Sequence, residues 1–426
     1  MTVRRESDPI EGFKETEIGP IPVEWGVVWL GEVASLIMGQ SPPSSTYNTE
    51  GKGYPFLQGK AEFGEVYPIP VKWCSQPKRI APRGSILISV RAPVGDVNVA
   101  REDYCIGRGL AAINGNESLD NWFLFYLLIF AKRRLEDKGT GSTFKSINKG
   151  VLQGFSIPLP PLPEQRRIAH VLGTIQRAIA AQDALIAAAR ELKRSLMQHL
   201  FTYGPVPLDQ ADQVPLKETE IGLVPAHWEF QTLDDVKAPG KGTIVSGPFG
   251  SNIGKRFFVE SGVPLIRGCN LTKGNSLFVE EGFVYITEEK AEELANCTAL
   301  PGDLVFTAAG TIGQVGLIPA NCRYSKYVIS NKQLRARVDT SRVEPLYLFY
   351  WFTHGRMQDL IQKRRRGTSI PVINLGILRS LPVGIPSLSE QREIIDVLAA
   401  ADRKIEAEEK RKTALQALFK TMLHQL

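Results

Sequence analysis

The sequence predicts an α+β protein in which two similar globules follow one another and each globule leads into a long helix. The prediction rests on an internal duplication, on short β-type runs bounded by glycine and proline, and on two long helical segments that each carry an apolar seam. A chain of 426 residues exceeds the usual size of one domain and suits two. With 43% hydrophobic and 23% charged residues, the composition is that of a globular protein.

The duplication begins with a short motif that occurs in each half. Residues 14–19 read Lys-Glu-Thr-Glu-Ile-Gly, and residues 217–222 repeat this sequence. A proline and a tryptophan follow both copies at the same spacing, and later matches keep the same order along both halves. The paired positions are Pro22 and Pro225, Trp25 and Trp228, 53–59 and 262–268, Gly141 and Gly367, 147–148 and 373–374, and 164–166 and 390–392. So long a collinear series indicates duplication rather than chance.

Each globule is predicted to be of mixed α+β type. Short β-type runs precede an apolar helical patch in each half, as at 85–90 and 122–135 in the first. A proline-rich stretch, 158–163 in the first half and 382–386 in the second, then ends the globule before the long helix begins. The predicted order is a first globule at 1–163, a central spacer helix at 164–203, a linker and second globule at 204–389, and a C-terminal spacer helix at 390–426.

The two long helices carry apolar residues at steps of mostly three and four, which predicts a single narrow seam on each. The seam residues are Ile168, Leu172, Ile175, Ile179, Ile186, Ala189, Leu192, Leu196 and Leu200 in the first helix and Ile394, Leu398, Ala401, Ile405, Leu415, Leu418, Phe419 and Met422 in the second. One interpretation is that each helix lies on its own globule. We favour an antiparallel coiled coil of the two helices, because the faces opposite the narrow seams are highly charged. The chain would then be quasi-cyclic, with a pseudo-two-fold axis through the helix pair.

Composition and motifs disfavour several classes of protein. The five cysteines and five histidines show neither CxxC nor metal-ligand spacing, so we expect no disulfide framework, no bound metal and a cytoplasmic location. The longest apolar run, 123–131, is too short to span a bilayer, which predicts no membrane partner. Residues 41–44 lack the aromatic residue of an amino-methyltransferase motif, and 247–255 lack the spacing of a phosphate-binding loop. We therefore predict a non-catalytic chain that itself holds no cofactor.

This order of segments resembles the specificity subunits of type I restriction-modification systems. The resemblance is carried by the Glu-Thr-Glu-Ile-Gly motifs, by Pro-Leu-Pro-Glu-Gln at 161–165 and Pro-Ser-Leu-Ser-Glu-Gln at 386–391, and by 39–44 and 246–251, which are similar to the opening of target-recognition domains. It implies that each globule is a target-recognition domain that reads one half of a bipartite, asymmetric site in double-stranded DNA. It also implies that the helices set the spacing and dock two methyltransferase subunits. S-adenosylmethionine, ATP and Mg²⁺ would bind to the methyltransferase and restriction/translocase subunits.

The residues themselves offer two groups of candidate DNA contacts, and the net charge of +6 permits a polyanionic partner without requiring one. Basic residues beside the glycine-rich loops at 139–145 and 367–369 suit phosphate contacts, although a solvated helix end is the alternative: Lys138, Lys145, Arg364, Arg365 and Arg366. Side chains able to read bases in the major groove lie in or beside loops: Gln40, Lys60, Arg91, Arg108, Asn252, Arg267, Asn270, Asn331 and Lys332. Any one of them could instead be structural. Because the halves differ at these positions, the two half-sites should differ, whereas shared residues such as Trp25, Ile147 and Asn148 are assigned to the fold.

Two other functions remain open from the sequence. A coiled-coil adaptor that binds only proteins would have no affinity for duplex DNA. A nuclease or methyltransferase would need a catalytic constellation that we do not find in the sequence.

Overall fold

The chain forms two compact units whose boundaries lie inside the long helices. The computed structural model describes residues 12–139, 145–272, 274, 276–367 and 371–426. One unit consists of Met1–Gln182 and Arg411–Leu426, and the other of Asp183–Lys410. The first unit therefore contains residues from both ends of the sequence, as the quasi-cyclic prediction requires. Within the described residues, no helix is long and apolar enough to cross a membrane.

The first unit is built on two sheets. Its strands are β1 (Phe13–Lys14), β2 (Ile21–Pro22), β3 (Gly26–Trp29), β4 (Ala34–Met38), β5 (Tyr47–Asn48), β6 (Tyr54–Leu57), β7 (Lys72–Cys74), β8 (Ile80–Ala81), β9 (Ile86–Ser89), β10 (Val97–Val99), β11 (Tyr104–Ile106), β12 (Leu110–Gly115) and β13 (Ser156–Leu159). Its helices are α1 (Leu30–Val33), α2 (Asn121–Phe130), α3 (Lys132–Lys138), α4 (Lys149–Gln153), the start of α5 (Leu162–Tyr203) and, from Arg411, the end of the C-terminal helix. The sheet orders are β10-β9-β12-β4 and β5-β7-β6-β11-β8, with β1-β2 and β13-β3 as separate pairs.

The second unit repeats this plan. Its strands are β14 (Leu216–Thr219), β15 (Gly222–Pro225), β16 (Glu229–Thr232), β17 (Ile244–Ser246), β18 (Val263–Ile266), β19 (Val284–Ile286), β20 (Thr298–Ala299), β21 (Leu304–Thr307), β22 (Val315–Leu317), β23 (Tyr327–Ile329), β24 (Gln333–Ala336) and β25 (Pro382–Ile385). Its helices are the end of α5, α6 (Glu288–Glu293), α7 (Pro345–Thr353), α8 (Gly355–Arg364), α9 (Leu375–Arg379) and most of α10 (Leu388–Leu423). The orders β17-β24-β21-β22 and β19-β18-β23-β20 correspond to the two sheets of the first unit, and β6 with β11, like β18 with β23, forms a parallel pair.

The four-stranded sheet of each unit is buried on both faces, which explains why three consecutive residues of a central strand are apolar, 86–88 in β9 and 304–306 in β21. Side chains alternate along a strand, so Ile86 and Ile88 of β9 pack into one core cluster with α2 while Leu87 packs into another with the second sheet. In the second unit Phe306 of β21 joins the cluster around α7, and Val305 joins the opposite cluster. The β-type runs predicted from the sequence are therefore the centres of the two globules.

The repeated tryptophan and the repeated Glu-Gln pair meet where each long helix begins. Trp25 Nε1 donates to Glu164 Oε2 at 3.1 Å, and Trp228 Nε1 donates to Glu390 Oε1 at the same distance. Each glutamine is fully buried and bridges loop backbone groups: the side chain of Gln165 accepts from Asp120 N at 2.8 Å and donates to Ser118 O and Pro160 O at 2.9 and 2.8 Å. The motifs thus attach the helices to the globules.

A second repeated pair of residues is also structural. Asn148 caps α4 by accepting from Val151 N at 3.0 Å, and Asn374 caps α9 by accepting from Ile377 N at 2.9 Å. The preceding Ile147 and Ile373 are buried. Their position supports the assignment of these shared residues to the fold.

The long helices begin within two residues of the predicted positions, but two predicted seam residues, Leu192 and Leu418, are exposed. Leu192 is 58% exposed, and the neighbouring Lys193 is buried instead. The Lys193 ammonium group lies 2.6 Å from Asp402 Oδ1 and donates to Gly274 O at 2.9 Å, so its charge is paired in the interior. Arg190 also pairs with Glu409, and these two ion pairs show that α5 and α10 run antiparallel within the second unit.

Candidate DNA interface

Three loops of the first unit meet at one edge of its sheets. They follow β4, β6 and β11, and backbone hydrogen bonds join them: Gln40 N donates to Ile106 O at 3.0 Å and Gly107 N donates to Leu57 O at 2.8 Å. A Cβ atom on Gly39 would lie 2.1 Å from the carbonyl oxygen of Gly107, so this approach requires glycine. We call this meeting point of residues 39–41, 58–60 and 107–109 the first loop junction.

Side chains reinforce the first loop junction and leave others free. Ser41 Oγ accepts from Gln58 Nε2 at 3.1 Å and from Arg108 N at 3.2 Å, so one hydroxyl links all three loops. The side chains of Gln40 and Arg108 are exposed and make no hydrogen bond or ion pair with any described residue. The junction therefore presents one amide and one guanidinium group to solvent.

The second unit contains an equivalent junction with different side chains. Gly247 N donates to Gln333 O at 2.9 Å and Ser330 N donates to Ile266 O at 3.0 Å, while a Cβ atom on Gly247 would lie 1.9 Å from Ser330 O. The second loop junction comprises residues 247–252, 267–270 and 330–332. Asn331 stands two residues after β23, as Arg108 stands two residues after β11. Asn252, Asn331 and Lys332 are exposed there.

In each unit, backbone hydrogen bonds continue from the loop junction towards the basic segment. In the first unit Val90 N donates to Gly109 O at 2.9 Å and Ile147 N donates to Val90 O at 3.0 Å. In the second unit Ala308 N donates to Lys332 O at 2.7 Å and Ile373 N donates to Ala308 O at 2.9 Å. The isolated bridges Arg91 with Ser146 and Arg366 with Val372 extend the two paths. Predicted base-reading and phosphate-binding residues of each unit thus share one connected backbone framework.

The structure brings most predicted residues to these surfaces with free side chains. The following are exposed and have no side-chain hydrogen bond or ion pair within the described part of the chain: Gln40, Arg91, Arg108, Lys138, Asn252, Asn331, Lys332, Arg365 and Arg366. The loop residues 140–144 and 368–369, predicted to take part in phosphate contacts, lie outside the described residues. The role of these side chains in DNA binding stays a prediction.

Two predicted contacts need correction because their polar groups are already used. Asn270 is fully buried; its oxygen accepts from Arg267 N at 2.9 Å and its nitrogen donates to Val279 O and Glu281 O, both at 2.9 Å. The Asn270 side chain therefore stabilises the loop in which it lies and has no free group for a base. Arg364 forms an ion pair with Glu220 of the repeated motif and donates to Ser380 O at 2.8 Å, so it ties α8 to the fold.

Three other predicted residues are partly occupied. Arg267 Nη2 donates to Gly282 O at 2.8 Å, and Lys145 Nζ donates to Glu136 O at 3.1 Å. Lys60 and Lys132 both contact the carboxylate of Asp96 at 2.7 Å. Burial raises the pKa of Asp96, but the hydrogen bonds from the two lysines outweigh burial and hold the pKa below its ordinary value.

Sequence reasoning missed two residues of the junctions. Gln58 occupies the place that Arg267 holds in the second unit, so the duplication could have indicated it. Phe249 lies in the segment 246–251, which is similar to the opening of target-recognition domains, and it is 84% exposed. Among the described residues, no cluster of three or more His, Cys, Asp or Glu side chains is placed to hold a metal ion.

Comparison with known proteins identifies the class of protein. A family model described as the type I restriction modification DNA specificity domain matches residues 22–189 and 225–417. The chain therefore belongs to the type I restriction-modification specificity family. The two matches confirm the predicted α+β fold with two tandem recognition domains.

Individual relatives agree with this family. The chain is 50% identical over 195 residues to the putative type I restriction enzyme MjaX specificity subunit of Methanocaldococcus jannaschii, a match to 45% of this chain and 46% of that protein. This match thus spans less than half of the relative. The chain is 22% identical to the MjaVIII specificity subunit of the same organism over 98% of this chain and 95% of that protein. The crystal structure of a type I restriction-modification S subunit from M. genitalium has a similar fold, with a TM-score of 0.58 and 16% identity over 94% of this chain and 95% of that chain.

Proposed function

We propose that this chain selects the DNA sequence for a type I restriction-modification complex, with each unit reading one half of a bipartite, asymmetric site. The observation that carries the proposal is the pair of loop junctions, which share a backbone framework and differ in their exposed side chains. Gln40 and Arg108 stand in one, and Asn252, Asn331 and Lys332 in the other. Amide and guanidinium groups of this kind discriminate base pairs in the major groove. Different side chains on one framework account for two different half-sites.

The basic residues beside each junction would hold the duplex in register. Lys138 in the first unit, and Arg365 and Arg366 in the second, are exposed cations without a carboxylate partner among the described residues. Contacts to phosphate give affinity that does not depend on sequence. The proposal therefore separates residues that bind DNA of any sequence from residues that determine sequence specificity.

The long helices would set the distance between the half-sites and dock two methyltransferase subunits. They carry exposed apolar side chains, including Leu185 and Leu192 on α5 and Leu418 on α10. Exposed apolar side chains suit a protein partner. Methyl transfer with S-adenosylmethionine, and cleavage with ATP and Mg²⁺, would then belong to the methyltransferase and restriction/translocase subunits, and this chain would contribute recognition alone.

The proposal is tested by expressing the chain with the methyltransferase subunit of its host. We expect a stable complex that binds duplex DNA and methylates adenine at one bipartite motif, because the complex should carry both recognition units and the catalytic subunit. Methylated positions are mapped by single-molecule sequencing, and binding is measured with duplexes that contain the motif. A complex that forms but binds no duplex DNA would instead identify the chain as a protein-binding adaptor.

Replacing both Arg365 and Arg366 with alanine should weaken binding about evenly across DNA sequences. Each lost phosphate contact lowers the slope of log K against log salt by about 0.9, so the double variant should flatten this slope by about 2. Titrations at several salt concentrations measure the slope.

The matched control is Asn331→Ala, an exposed residue of the same unit. It should leave the salt slope unchanged and cost about 1–3 kcal/mol of discrimination at one base pair of one half-site. An unchanged slope in the arginine double variant would show that these cations form a solvated surface. Arg364 is left intact in both variants because its ion pair with Glu220 supports the fold.

A further inference from the structure

The second loop junction differs from the first in one apolar feature. Phe249 stands where the first junction has Ser41, two residues after the glycine equivalents Gly247 and Gly39. The hydroxyl of Ser41 links three loops, whereas Phe249 is 84% exposed. A phenylalanine ring in water forgoes much of the stabilisation that burial provides. The ring therefore has surface available to contact another molecule.

Hydrogen bonds to the backbone hold the loop on both sides of Phe249. Gly247 N is bonded to Gln333 O at 2.9 Å, and Asn252 N donates to the carbonyl oxygen of Phe249 at 2.8 Å. Arg256 Nη2 donates to Ser251 O at 3.0 Å and holds the residues that follow. Phe249 makes no aromatic ring contact within the described residues. The ring is thus presented on a bonded loop beside the exposed amides of Asn252 and Asn331.

We propose that Phe249 contacts the C5-methyl group of a thymine in the half-site read by the second unit. This inference rests on the proposed function and adds a residue that determines specificity. In the major groove, where amide side chains discriminate bases, the thymine methyl group is the apolar group that a base pair displays, and phenylalanine is among the side chains that contact it. Because Ser41 replaces the ring in the first unit, the contact is confined to one half-site.

The test uses the complex of the full chain with its methyltransferase subunit and a duplex in which uracil replaces thymine at one position at a time. Uracil pairs as thymine does but lacks the methyl group. Loss of one buried methyl should weaken binding of the native chain about fourfold. We expect this at one position of the second half-site. With Phe249→Ala, binding to the thymine duplex should fall and the same uracil substitution should have no further effect.

Controls separate this contact from a general loss of affinity. Leu300 lies before β21, whereas Ala308, which is bonded to Lys332 of the loop junction, follows the other end of that strand. Leu300→Ala should therefore leave both the affinity and the uracil effect unchanged. Phe249→Leu retains an apolar side chain and should keep part of the uracil effect. The effect of a uracil substitution in the first half-site should be the same in the native chain and in the Phe249 variants.

Several outcomes would overturn the inference. These are an equal uracil effect in the native chain and in Phe249→Ala, a second half-site in which no thymine responds, and 2-aminopurine fluorescence that reports unstacking only when Phe249 is present. The last result would identify the ring as a wedge between base pairs. Each of these results leaves sequence-specific binding intact, whereas failure of the proposed function would appear as no binding to any duplex.

Discussion

Replacing Asp402 with alanine should lower the free energy of unfolding by up to about 3 kcal/mol, because it removes the carboxylate partner of the buried ammonium group of Lys193. Lys193 is 7% exposed, and its ammonium group lies 2.6 Å from Oδ1 of Asp402, whose side chain is partly exposed. After the substitution the charge would keep only Gly274 O, at 2.9 Å, and the ring of Tyr350, whose centroid is 5.4 Å away. Neither replaces a carboxylate in the interior.

Asp402 has a second role that the substitution would also remove. Tyr350 donates its hydroxyl to Asp402 Oδ2 at 2.8 Å. Burial raises the pKa of Tyr350, and the carboxylate adds to the effect, so the hydroxyl stays protonated as a donor. Urea unfolding of the full chain, followed by hydrogen exchange in α7, measures the loss where Tyr350 lies.

Two controls distinguish the buried charge from a general effect of shortening a helix residue. Arg190 and Glu409 form an ion pair on the same two helices, but their side chains are 56% and 43% exposed, so Glu409→Ala should cost less than about 1 kcal/mol. The double variant Lys193→Met with Asp402→Leu removes both charges and should cost less than Asp402→Ala alone. Equal losses for Asp402→Ala and Glu409→Ala would contradict the buried-pair interpretation.

The sequence predicted those parts of the fold that leave a periodic or repeated signal. The duplication indicated that the two units share their strand order, and the proline stops placed the starts of α5 and α10 correctly to within two residues. The repeated Trp25 and Glu164 could be assigned to the fold, although their mutual hydrogen bond was not predicted. Residues that repeat in both halves are informative because packing constrains both copies alike.

The rest depended on contacts between residues far apart in the sequence. Lys193 falls beside an apolar seam position, and its burial in place of Leu192 depends on an ion pair with Asp402, which is remote in sequence. Asn270 has the side chain of a base reader, yet Val279 and Glu281 carbonyl groups use its donors. Composition and loop position cannot distinguish an amide that closes a loop from one that faces solvent, as Asn331 does.

Inserting seven residues into each long helix, after Gln182 and after Lys410, should move the recognised half-sites apart by up to about three base pairs. Both positions are unit boundaries inside helices, so each unit keeps all of its own residues. Seven residues lengthen a helix by about 10 Å and retain the heptad phase of the seam, and one base pair rises about 3.4 Å. The sequence of each half-site should stay the same, because neither loop junction is changed.

The matched control is a flexible insertion of the same length after Asp212, in the connector beyond α5, which should leave the gap unchanged. Mapping methylated adenines in cells that express each variant measures the gap directly. An unchanged gap in the helix variant would show that the helices do not set the spacing, and altered half-site sequences would show that recognition extends beyond the two loop junctions.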